Sequence, residues 1–91
     1  MTMKYTMVIA DDEPVVLKST ELFLKKEFPA IKIVGMAENG IKLKEMLEAY
    51  KPDMAIVDLR MPGLSGIEVI ELLQHKNCST HFIISTAYSD F

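Results

Sequence analysis

With 91 residues, the chain has room for one small domain, which buries only about two thirds of its unfolded surface and keeps a thin stability margin. Apolar residues (49%) come in short separated runs among 25% charged ones, the profile of a globular chain, and no run reaches the ~18 apolar residues that span a bilayer. A net charge of −3 excludes a basic nucleic-acid stripe, one cysteine excludes a disulfide framework, and MTMKYTMVIADDEP lacks a signal-peptide core, so the expected address is the cytoplasm and the expected partner cationic or a protein.

The first run, YTMVIA at 5–10, lacks polar alternation and predicts a strand covered on both faces. Asp12-Glu13-Pro14 then opens a helix, with carboxylates at its positive end and proline in the first turn. Leu17, Leu24 and Phe28 form its inward stripe, and it stops before Pro29. IKIVGMA at 31–37 alternates more strongly, as an edge strand does. Asn39 is the expected N-cap of a second helix, with Leu43, Met46, Leu47 and Tyr50 inward, and Lys51-Pro52 ends it. MAIVDL at 54–59 predicts another covered strand. Ser65 opens a third helix, Glu68 completes a capping box, and Ile67, Ile70 and Leu73 point inward. HFIIST at 81–86 is the last covered strand. Strands alternate with helices throughout, which predicts an α/β fold with right-handed crossovers and a parallel sheet.

Open parallel sheets bind ligands beyond the carboxyl ends of their strands, so the residues ending each run carry the chemistry. Those are Asp11-Asp12, Asp58 and Ser85-Thr86: three carboxylates and a hydroxyl converging on one rim. Clustered carboxylates repel unless a cation neutralises them, and an oxygen-only set favours Mg²⁺, or Mn²⁺, over zinc. An aspartate beside such an ion can act as a nucleophile toward a phosphoryl group. Taken alone, the pair Asp11-Asp12 would equally serve as an N-cap for the first helix.

The residues ADDEP, AENG, PD, DLRMPGLSG and STAY, in this order and spacing, make the whole chain resemble a bacterial response regulator receiver domain, the phosphorylatable module of two-component signalling. The resemblance implies a doubly wound, flavodoxin-like sheet in the strand order 2-1-3-4. It implies that Asp58 is the phospho-acceptor, supplied by a partner histidine kinase. Asp11, Asp12, Asp58 and the backbone carbonyl of Arg60 would hold Mg²⁺, and the Thr86 hydroxyl would move to the phosphoryl group as the switch. Pro62 and Gly66 would shape the loop after the acceptor. Arg60 and Tyr88 would shield the acyl phosphate from water.

Such a domain is expected to phosphorylate itself from a donor and slowly dephosphorylate, and to be no other enzyme. The segments IVGMAENG and VDLRMPGLSG resemble those of transcriptional regulators that carry a helix-turn-helix output domain, so any DNA contact would belong to that domain. A Mg²⁺-dependent phosphohydrolase with an aspartyl nucleophile is the competing class, but it usually places a second acid where Arg60 stands. A binding module that has lost phosphorylation is a third.

The family also has a fifth strand, with a phosphate-pairing lysine, and a fifth helix. The chain stops at Tyr88-Ser89-Asp90-Phe91 before them, and Lys51 and Lys76 stand in the wrong places for that lysine. HFIIST is therefore expected to be an uncovered apolar edge. Either the sequence is a piece of a longer regulator, the favoured reading, or self-association through that edge supplies the cover. The trio His75, Cys78 and His81 lacks a fourth ligand and is not read as a zinc site, the methionines as core filling, and Lys25-Lys26-Glu27 as a solvated helix face.

Overall fold

Each apolar run becomes a strand, and each stretch between them that carries a helical stripe becomes a helix. The computed structural model describes residues 4–58, 61, 66–74 and 79–85. In chain order these form β1 (Tyr5–Ala10), α1 (Pro14–Glu27), β2 (Ile31–Ala37), α2 (Gly40–Tyr50), β3 (Met54–Asp58), α3 (Gly66–Gln74) and β4 (His81–Ser85). The four strands make one parallel sheet in the order β2-β1-β3-β4, with β2 at an edge as its alternation predicted. β1 and β3, the runs without polar alternation, lie in the middle, where both faces are covered.

Alternate residues of these strands feed two apolar layers. Met7 and Ile9 pack with Leu17 and Leu24 of α1, joined by Ile31, Ile33, Met54 and Ile56. Val8, Ala10, Ala37, Ala55 and Val57 pack instead with Leu43 and Leu47 of α2 and Val69 of α3. Ile9 and Leu47 are nearly sealed from water, and each such side chain contributes about 1.5–3 kcal/mol.

The register of β1 with β2 slips between Met7 and Val8, which pair with Ile33 and Gly35, so Val34 is an extra residue on the edge strand. This bulge changes which face later residues serve: Ile31 and Ile33 meet the α1 layer, whereas Ala37 meets the α2 layer. Gly35 lies beside α2, and a Cβ there would sit 2.9 Å from Met46 Sδ and 3.3 Å from a Tyr50 ring carbon. Any larger residue here would have to displace the flexible end of Met46 and press on the Tyr50 ring, so the close approach of edge strand and helix favours glycine.

The helix ends follow local chemistry. Asn39 Oδ1 accepts the Lys42 N–H at 2.8 Å, the expected N-cap of α2. Lys51 ends that helix in the left-handed conformation, φ 45°, its N–H donating to Leu47 O. At the opposite end of the sheet from the acids, Asp53 ties β3 to β1: its Oδ2 accepts from Thr6 N–H at 2.8 Å, and its own N–H donates to Thr6 Oγ1 at 3.0 Å.

Three inward assignments differ from expectation. Phe28 caps the end of α1 and stays half exposed, its ring tilted against Phe23 at 6.1 Å between centroids. Tyr50, in the last turn of α2, is also half exposed. Among the described side chains of α3, Val69 is sealed against the α2 layer and Ile70 is half-buried, while Ile67, at the start of the helix, is half exposed. Ser65 and the Leu73 side chain lie outside the described residues. β4 is the outermost strand among the described residues, and Ile83 and Ile84 are each close to half exposed.

Candidate functional site

The direct pairing of β1 with β3 builds the site. Ala10 is level with Val57, so the next residues, Asp11 and Asp58, reach the sheet's carboxyl edge side by side. Asp11 is held there by its own N–H, which donates to Ala37 O at 3.0 Å on β2. Asp58 is fixed from the other side, as the register partner of Ser85 on β4. Met61, three residues beyond Asp58, is buried in the α2 and α3 layer and ties the outgoing chain back to the core.

Asp11, Asp12 and Asp58 each offer one carboxylate oxygen, and these oxygens all lie within 4.8 Å of one another. Asp11 and Asp58 are buried, at 6% and 4% exposed, while Asp12 opens to solvent. Burial pushes the Asp11 carboxyl above its usual range; the Glu13 N–H partly offsets this, and the charges of Asp58, Asp12 and Glu13 add to the rise. An all-carboxylate set under mutual repulsion, partly open to water, suits a hard divalent cation with several water ligands.

The Asp11-Asp12 pair does not cap α1. The N-cap is Glu13, which makes no side-chain cap bond, and Asp11 Oδ1 accepts the Glu13 N–H at 2.9 Å. Sequence reasoning missed that bond, although an aspartate two residues before an N–H is the signature of an Asx turn.

The structure thus brings together Asp11, Asp12 and Asp58. Ser85, which alternation placed on the face opposite Thr86, is half-buried beside Asp58 in register. Arg60, Pro62, Thr86 and Tyr88 lie outside the described residues, as do His75 and Cys78 of the rejected zinc trio; His81 is exposed. Among the described residues no other cluster of three metal-ligating side chains occurs, and no helix is long and apolar enough to cross a membrane.

A parallel sheet in the order 2-1-3-4, helices on both faces and acids at the carboxyl ends of its two central strands define a doubly wound α/β domain of the flavodoxin-like class. The chain belongs to the response regulator receiver domain family, whose model matches residues 7–91. It is 36% identical over 91 residues to an uncharacterized response regulatory protein of Vibrio cholerae, covering all of this chain and 35% of that protein. It is 37% identical over 84 residues to the uncharacterized transcriptional regulatory protein YhcZ of Bacillus subtilis, covering 92% of this chain and 39% of YhcZ. The chain therefore spans little more than a third of the length of these curated relatives. Among solved structures, the signal receiver domain of a NarL response regulator from Mycobacterium tuberculosis superposes with a TM-score of 0.89 at 27% identity, covering 97% of this chain and 70% of that one.

Proposed function

We propose that the domain is a phosphorylation-dependent switch in which Asp58 accepts a phosphoryl group from a partner histidine kinase. The observation that carries the reading is the position of Asp58: buried, at the carboxyl end of a central strand, with the oxygens of two further aspartates within 4.8 Å. An Asp58 oxygen attacks the phosphorus of a phosphohistidine; the O–P bond forms, the N–P bond breaks, and the leaving imidazole takes up a proton.

Asp11, Asp12, Asp58 and the Arg60 carbonyl would hold Mg²⁺, or Mn²⁺, which offsets negative charge on the transferring oxygens when bound. The donor chemistry of the three carboxylates supports that assignment. Sheet pairing on both sides of β3 keeps Asp58 aimed, so little orientation is lost on transfer. Thr86 is assigned the hydroxyl that follows the new phosphoryl group. Likeness to a transcriptional regulatory protein supports an output in transcription, with DNA contacted by a domain other than this one.

The test is incubation with acetyl phosphate and MgCl₂, followed by intact-mass analysis. One added phosphoryl group is expected on the wild type and none on Asp58→Asn; an equally phosphorylated variant overturns the acceptor assignment.

A further inference from the structure

We infer that Glu13 is a positioning residue for the divalent cation: its main-chain N–H restrains the Asp11 carboxylate, and its exposed side chain raises cation affinity from beyond the coordinating oxygens. The inference rests on the Mg²⁺ reading above and concerns what tunes that site. Glu13 sits between the trio and the first turn of α1, and its oxygens do not join the cluster formed by Asp11, Asp12 and Asp58.

Pro14 at the start of α1 restricts Glu13 to extended backbone, φ −104° and ψ 113°. The Glu13 N–H donates to Asp11 Oδ1 at 2.9 Å, and this bond limits rotation of the ligand carboxylate. The Glu13 side chain has no such employment. It makes no cap bond, and the lysines of α1 that form ion pairs, Lys18 and Lys25, both go to Glu21. Its charge nonetheless reaches Asp11, which lies within its electrostatic influence. Among the described residues no cation pairs with Glu13, so its charge, next to the trio in sequence, is available to attract a divalent ion and to accept from its water ligands.

The effect is measurable because a unit charge acting on a divalent ion through largely aqueous surroundings changes affinity several-fold. Isothermal titration with MgCl₂ alone, on the full chain in 0.1 M NaCl, should give a Kd about 3-fold weaker for Glu13→Gln and about 10-fold weaker for Glu13→Lys. Glu13→Asp should restore affinity to within about 2-fold of the wild type, and the differences should shrink at 0.5 M NaCl as screening shortens. A purely structural role would instead move the melting temperature in EDTA and leave Kd alone. Equal Kd values for wild type, Glu13→Gln and Glu13→Lys overturn the role of Glu13 while leaving the Mg²⁺ site standing. A wild type that takes up no Mg²⁺ overturns both.

Discussion

Asp11, Asp12 and Asp58 share one site but not one environment. Asp11 is buried, accepts one backbone N–H and faces three other negative charges; Asp12, next to it, is exposed. The sign of the pH effect follows. Because the folded protein holds the Asp11 proton more tightly than the unfolded chain, it binds more protons in the window just above 3.8. The stability contributed by this group is therefore full below that value and is lost as pH rises through the raised folded value. At neutral pH the metal-free fold carries the penalty of an ionised, crowded carboxylate. Asp11→Asn keeps the oxygen that accepts the Glu13 N–H and removes the charge. In EDTA at pH 7 it should be more stable than the wild type by about 1 kcal/mol, between the aqueous and the partly buried value for like charges at this range. Urea unfolding at pH 7 and at pH 3.5 checks this: the advantage should vanish at the lower pH, and a variant less stable at pH 7 counts against burial and repulsion of the ionised carboxylate as a net cost.

At the scale of elements, the strands were legible because continuous apolar runs mark central parallel strands and alternation marks an edge; β1 and β2 keep the expected bounds. The helical stripes were less legible. A stripe that begins at Ile67 gives a period but not the direction of the sheet, and the packing seals Val69 while leaving Ile67 half exposed. The β2 bulge was invisible in the alternation itself, and its one trace is Gly35, whose missing side chain lets α2 approach. Gly35→Val should therefore push Met46 and Tyr50 aside and cost about 1–3 kcal/mol of unfolding free energy. The nearest obstacle is the flexible end of Met46, so a Met46→Ala background should return part of the loss. A double-mutant cycle by denaturant unfolding measures the coupling; strictly additive effects would show that the bulge, not the helix contact, demands glycine.

At the scale of the molecule, the site was legible through topology rather than proximity. Asp11 and Asp58 are 47 positions apart, and only the rule that parallel sheets present their carboxyl ends on one rim brought them together in the sequence; the direct β1 to β3 pairing makes them neighbours. The same long-range pairing hid the tie between Asp53 and Thr6 at the far end of these strands, since no local pattern announces it. The central strands are thus joined at one end by a satisfied hydrogen-bond pair and carry clustered carboxylates at the other. A cation bound by the folded state alone should relieve that imbalance and raise stability by about 1.4 kcal/mol at tenfold its Kd. For a chain of this size that is a rise in melting temperature on the order of 5–10 °C. Thermal unfolding in increasing MgCl₂, at ionic strength held constant with NaCl, should show that rise in the wild type and a much smaller one in Asp11→Asn and Asp58→Asn. A melting temperature that follows ionic strength and not Mg²⁺ would mean that screening, rather than a bound ion, is what quiets the three charges.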